Sequence, residues 1–422
     1  MWNAAAIPGL ALAAAAVWRL LSEIWGITNL KVAPLPNEPP LARIEFLDGL
    51  RGLAIFTVIL YHAFVRWPQL YVYGAKFSGS PIFDTDIAGV NLFFIISGFV
   101  ILMTLRKCAD FSDFIIRRWY RLFPAMLLCS VFILLTSGLF PERPQGNIHF
   151  LDLLPGVTFI GDGYGVNRLW DWLSAGHGFH VVSVEGAFWS LYVEVRFYII
   201  FGLAYFVLGE RASVTLIILL FLFSKLSSET LLNLHFGPHD IGGHILATMH
   251  ELASVIGIDS LNNFLNSRSY GFFATGALFF LFHVTRDRRL FCLGLAIGLL
   301  SVGIAAPIAN LVLTLLFVLA MSSKAVRRIL SSKPLVFLGF ISYPLYLLHE
   351  NMLVAMIVKI GRAAPNMAAL LIPVLPFFVV CGLAFVVARY IEPAMRDLIH
   401  KMVKVLRTNI APRLNRSVLP FR

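Results

Sequence analysis

Apolar residues along this chain gather in long unbroken runs, divided by short polar or basic stretches. A strand of a membrane barrel would alternate apolar and polar positions instead. Ten runs stand out, at roughly 50–66, 88–105, 122–140, 186–208, 213–232, 270–284, 290–304, 306–321, 334–355 and 368–390. A helix rising 1.5 Å per residue needs about 20 apolar residues to cross about 30 Å of hydrocarbon. The pattern therefore predicts an all-α integral membrane protein, a bundle of about ten transmembrane helices. The pair from 290 to 321 is divided only by Pro307 and its small neighbours, so a tight re-entry fits it as well.

An earlier apolar stretch, Ala4 to Ile27, contains Pro8, Arg19 and Glu23. It reads as one extra N-terminal helix, spanning the membrane or lying at its interface; it lacks the basic start and cleavage site of a secretory signal. Pro34-Leu-Pro-Asn-Glu-Pro-Pro40 follows as a stiff non-helical linker. The expected organisation is thus an N-terminal apolar helix and linker (1–40), a transmembrane domain (41–393), and a basic amphipathic tail on the inner leaflet (394–422).

Composition sharpens this picture. Hydrophobic residues make up 59% of the 422 and charged residues 14%, against about 25% charged in an average soluble domain. Such a chain cannot cover a water-facing surface with polar groups, and the lipid bilayer is its expected partner. The net charge is +11. In a soluble protein that would raise nucleic acid; here basic residues cluster at one end of the runs, as the positive-inside rule expects. Arg106-Lys107, Arg117-Arg118-Arg121, Arg286-Arg288-Arg289 and Lys324-Arg327-Arg328-Lys333 would face the cytoplasm, and with them the C-terminus. No nucleic-acid partner is expected. The four cysteines lie in or beside apolar runs with no CxxC spacing, which indicates neither a metal site nor a disulfide framework. The longer loops, 141–185 and 233–269, fall on the far side and carry scattered histidines (His177, His180, His235, His239, His244 and His250) without a compact ligand spacing, so no metal is expected.

The candidate chemistry lies in the polar residues inside the runs, since an ionisable group in hydrocarbon costs several kcal/mol unless it is paired or faces a cavity. Arg51 and His62 are eleven positions apart; at 100° per residue they share a helix face, about 16 Å apart along the axis. Ser190, Glu194 and Tyr198 are spaced i, i+4, i+8 and share another face. Ser342, Tyr346, His349 and Glu350 follow helical spacing on one side, with Pro344 placed to free a backbone carbonyl. His62, Glu194 and His349 all fall about two-thirds of the way from the cytoplasmic side, which suggests a shared polar chamber. Two roles are open to His62: a general base, because imidazole titrates near neutrality, or a covalent acyl carrier. Glu194 is expected to orient an imidazole or take a proton. Arg118 and Arg121 are three apart at the cytoplasmic boundary, where two guanidinium groups either grip phosphates or anchor the span.

At these residues the chain resembles the acyltransferase-3 family of membrane-bound acyltransferases. Four stretches carry the likeness: Leu47-Asp-Gly-Leu-Arg-Gly followed by His62, with the family's basic residue, ten residues, then His; Gly89-Val-Asn-Leu-Phe-Phe-Ile-Ile-Ser-Gly-Phe99; Arg117-Arg-Trp-Tyr-Arg-Leu-Phe-Pro124, with Arg-x-x-Arg at Arg118 and Arg121; and Phe188-Trp-Ser-Leu-Tyr-Val-Glu-Val-Arg-Phe-Tyr198. Phe340-Ile-Ser-Tyr-Pro-Leu-Tyr-Leu-Leu-His349 and Ile391-Glu392-Pro393 are weaker echoes. Asn91 stands where the family often has Asp, and Val195-Arg196 replaces a more usual Glu-Gln pair.

The resemblance implies an acyl-CoA donor on the cytoplasmic side, acetyl-CoA above all, used as a substrate with no covalently bound cofactor. It implies a carbohydrate hydroxyl as acceptor, on a cell-envelope or exported glycan; the compactness of the 422-residue chain suits a bacterial inner membrane as the location. It carries over Arg51 and His62 as essential residues and Arg118 and Arg121 as CoA-side contacts, with Arg51 joining them. His62, Glu194 and His349 are then the expected catalytic set. Asp48, Ser97, Trp189 and Tyr198, which stand in the matching stretches, are expected to meet the acceptor. The function implied is O-acetyl transfer; the rival from a different class is a transporter of a sugar, a lipid or an acylated product, because buried ionisable groups at mid-depth suit a transport path equally well.

Overall fold

A computed structural model describes residues 44–85, 87–161, 181–226, 265–302, 307–399 and 401. The expected N-terminal helix and linker, most of the histidine-bearing loops and most of the basic tail lie outside the described residues. Among those described, every regular element is a helix and no strand is present. The longer helices are α1 (Glu45–Phe64), α2 (Ala88–Leu105), α3 (Phe111–Leu135), α4 (Trp189–Leu208), α5 (Glu210–Leu226), α6 (Tyr270–Thr285), α7 (Arg288–Ser301), α8 (Pro307–Ser322), α9 (Lys333–Leu348), α10 (Val354–Ala363) and α11 (Val374–Val386).

Six segments are long and apolar enough to cross a membrane: Glu45–Phe64, Ala88–Leu105, Phe111–Leu135, Gly186–Leu208, Lys333–Ala363 and Val374–Ile399. Helix α8 with the following Lys324–Leu330 makes a seventh candidate, bent by 113°. Each remaining apolar run coincides with a helix, but α5, α6 and α7 have 17, 16 and 14 residues. Large apolar side chains on the outside, such as Leu203, Val207, Leu375 and Phe378, are exposed, as a bilayer solvent demands.

Two boundaries differ from expectation for clear reasons. Helix α3 begins at Phe111, eleven residues before the apolar run, because Asp110 caps it by accepting the Asp113 amide at 2.8 Å. The arginine cluster is therefore carried on the helix itself. Helix α11 starts at Val374, since residues 365–373 form turns around Pro365 and Pro373.

The inner helices approach backbone to backbone. A Cβ added at Gly52 would lie 2.0 Å from the Leu335 carbonyl oxygen, and one at Gly339 would lie 1.9 Å from that of Asp48, so α1 and α9 touch where only glycine fits. Gly98 and Gly276 do the same for α2 and α6. Lipid offers no hydrophobic drive between helices, so close van der Waals contact between small residues holds such a bundle. Asn91, where the family often has Asp, is buried and donates to Asn310 at 2.7 Å, tying α2 to α8.

Candidate active site

The close contact of α1 with α9 sets the site. It brings one face of α1, carrying Arg51 near its start and His62 near its end, against α9 and the segment that follows.

At the Arg51 end, α1, α2, α3, α4 and α9 line a cavity. Arg51, Arg118 and Arg121 line one part of it, and Ser97, Glu194, Tyr198, Ser190 and Tyr346 line the rest. Arg51 is partly balanced by Asp48, at 3.3 Å. Arg118 donates to Thr104 at 3.0 Å, but its Nε and Nη1 are buried and have no hydrogen-bond partner. Its guanidinium also stands 6.0 Å from the ring centre of Tyr198. Glu194 accepts from Ser97 at 2.7 Å and from the Tyr198 hydroxyl. Three cations thus meet two carboxylates, Asp48 on Arg51 and the hydrogen-bonded Glu194, and the surplus positive charge favours an anion.

At the other end, α9 passes through Pro344 unbroken and then widens into a π-helical turn, His349–Leu353, before continuing as α10. Such turns often mark functional sites. Here His349, Glu350 and Asn351 are all buried. The His349 ring stands edge-to-face on that of His62, centroids 4.6 Å apart. Nε2 of His62 lies 3.8 Å from Oε1 of Glu350. Nδ1 of His62 meets the Val58 carbonyl at 2.9 Å, and Nδ1 of His349 meets that of Tyr346 at 2.8 Å. A carbonyl only accepts, so each Nδ1 carries the proton and each Nε2 is the basic nitrogen. His349 Nε2 has no hydrogen-bond partner. The end of α1 is held by Tyr71 and Tyr73, whose hydroxyls donate to the carbonyls of His62 and Ala63.

Tyr346 separates the two ends. Its hydroxyl donates to the Ala187 carbonyl at 2.8 Å and meets Ser190 Oγ at 2.7 Å, and its ring centroid is 5.3 Å from that of His349.

The structure thus brings together Arg51, Arg118 and Arg121, and separately His62 and His349. The single chamber expected for His62, Glu194 and His349 is divided: Glu194 lines the arginine cavity, and the carboxylate beside His62 is Glu350. Ser97 and Tyr198 line the cavity as bonds to Glu194, Asp48 sits on Arg51, and Trp189 packs on Phe94 with ring centroids 6.4 Å apart, outside the cavity lining. Sequence reasoning placed Glu350 on the right face but gave it no role. It also passed over Glu185 and Asn351. The signal for Glu350 was present, a carboxylate inside an apolar run.

The class of protein is thus a helical membrane bundle with an arginine-lined cavity and, beyond Tyr346, a histidine pair in which His349 is buried and His62 half-buried. Residues 44–391 match the acyltransferase-3 family, an acyltransferase domain, and the chain belongs to that family. Among its relatives is the O-acetyltransferase OatA of Staphylococcus aureus, 25% identical over 336 residues, 73% of this chain and 50% of the relative. The peptidoglycan O-acetyltransferase OatA of Listeria monocytogenes is 26% identical over 172 residues, 37% of this chain and 23% of that protein. The chain thus spans half the length of the Staphylococcus relative and less of the other. No solved structure matches the chain.

Proposed function

We propose that this protein is a membrane O-acetyltransferase that moves an acetyl group from acetyl-CoA to a hydroxyl of a cell-envelope glycan. The observation that carries the reading is the cavity itself: three arginines at one end, and a histidine pair with a carboxylate just beyond the other. The names of the relatives favour acetyl as the group and a glycan such as peptidoglycan as the acceptor. The basic end of the bundle is then the cytoplasmic one, in a bacterial inner membrane, and the shorter helices α5 to α8 complete a bundle of about ten spans.

The phosphates of the donor bind Arg51, Arg118 and Arg121. The thioester points toward Tyr346, which turns away from Ala187 and Ser190 to admit it. Nε2 of His62 takes the proton of the acceptor hydroxyl as its oxygen attacks the thioester carbonyl. The C–S bond breaks and CoA leaves as the thiolate, to be protonated by the imidazolium. Glu350 stabilises that imidazolium. We assign His62 as base over carrier because a carboxylate beside Nε2 rewards protonation and gives nothing to an acylated ring.

The test is release of free CoA from acetyl-CoA by the purified chain in nanodiscs, wild type against His62→Ala. The variant should bind acetyl-CoA as wild type does and lose 10²–10⁴-fold in rate, the usual worth of a general base. If wild type neither binds nor cleaves any acyl-CoA, the reading is wrong and transport of a sugar or lipid takes its place.

A further inference from the structure

The π-helical turn that holds His349 and Glu350 is clamped from outside its own helix. Widening a helix from α to π strips N–H groups of their usual i−4 carbonyls. Here the orphaned amides of Glu350 and Asn351 both reach one side-chain oxygen, Oε1 of Glu185, at 2.6 and 3.0 Å. The other oxygen, Oε2, accepts from Nδ2 of Asn351, which also donates to the Val184 carbonyl at 2.6 Å. Glu185 is completely buried. It immediately precedes the segment that leads into α4, so the clamp joins the helix of Glu194 to the turn of Glu350. Gly186 leaves the space this needs: a Cβ there would lie 2.7 Å from Oε2 of Glu350 and 2.5 Å from Nε2 of Gln145.

We infer that Glu185, with Asn351, is a positioning residue for acyl transfer: it fixes the π-turn so that Glu350 faces Nε2 of His62. A buried carboxylate is costly unless well bonded, and here all of its bonds go to this one turn or, through Asn351, to its neighbouring backbone. A helix-to-helix tie alone would need no carboxylate and no π-turn. The inference rests on the acyl-transfer reading above.

The experiment uses the full chain in nanodiscs. It measures kcat and KM for CoA release from acetyl-CoA, with water or an N-acetylglucosamine oligosaccharide as acceptor, and acetyl-CoA binding separately. Glu185→Ala should lose about 100-fold in kcat, with acetyl-CoA affinity within about threefold, because the arginine cavity is untouched. Glu185→Gln keeps an oxygen for the two backbone amides and should lose only about tenfold. Asn351→Ala should lose less than Glu185→Ala, and the double variant should be no slower than Glu185→Ala, since one clamp is broken either way. A folded Glu185→Ala with kcat within threefold of wild type overturns the inference. So does a loss shared equally by kcat and donor binding, which would mark a merely structural role. Should Glu185→Ala not fold, Glu185→Gln and Asn351→Ala decide by the same split, and unchanged kcat in both overturns it. An inactive wild type would instead remove the acyl-transfer reading, and this inference with it.

Discussion

Nε2 of His62 lies 3.8 Å from Oε1 of Glu350, and Nδ1 of the same ring is already committed to the Val58 carbonyl. Only Nε2 can accept a proton, and a proton there faces a carboxylate. Glu350→Gln keeps the shape and removes that charge. Its kcat for CoA release should fall about 100-fold, with acetyl-CoA binding unchanged. Isothermal titration with acetyl-CoA beside the rate assay separates the two effects, and a full-rate variant would exclude Glu350 from the chemistry.

The cavity arginines are distinguished from their neighbour on the same helix. Arg118 and Arg121 line it, whereas Arg117 points outward, 57% exposed, and pairs with Asp113. Arg118→Lys and Arg121→Ala should each raise the KM for acetyl-CoA about tenfold, because a guanidinium fork bonds phosphate in a way an ammonium does not. Arg117→Ala should stay within about twofold. Equal effects at Arg117 and Arg118 would reduce the cluster to an orientation signal.

Tyr71 and Tyr73 donate their hydroxyls to the carbonyls of His62 and Ala63. Losing one such bond costs about 1 kcal/mol. Tyr71→Phe should therefore lower kcat severalfold through a looser His62, with little change in the melting temperature of the detergent-solubilised protein. A large melting shift with unaltered kcat would make the tyrosine a folding element alone.

How far the sequence could be read depended on distance along the chain. Arg51 with His62, and Ser190 with Glu194 and Tyr198, were legible because helical periodicity alone places them on shared faces. The pairing of His62 with Glu350 was not, because it depends on which face α9 turns toward α1, and that is decided by Gly52 and Gly339 at the contact. The grouping of Glu194 with the histidines failed for a related reason. That grouping rested on similar depth in the membrane, but depth carries no information on azimuth, and Tyr346 intervenes. Glu185 was hidden because a π-turn has no periodic signature, so nothing in the pattern announced amides in need of an acceptor. The helix count was read from hydropathy, while several of the helices are shorter than a full crossing requires.

The glycine contacts make their own prediction. A Cβ at Gly339 meets the Asp48 carbonyl at 1.9 Å, so Gly339→Leu has to push α9 off α1. Overpacking of this kind costs 1–3 kcal/mol or more. The variant should melt well below wild type and release little CoA, because the same displacement parts Glu350 from His62. Gly382→Ala, where nothing lies within 4 Å of the added atom, should behave as wild type.

Tyr346 has one more consequence. Any protein that lets a reagent in from one face of a membrane and serves a reaction toward the other risks becoming a leak. Here the path from the arginines meets a phenol bonded to Ala187 and Ser190 before it meets the histidines. On the acyl-transfer reading, this phenol would act as a plug: it must swing aside for the acyl group and return to Ala187 and Ser190 behind it, so that admitting the donor need not discharge the membrane.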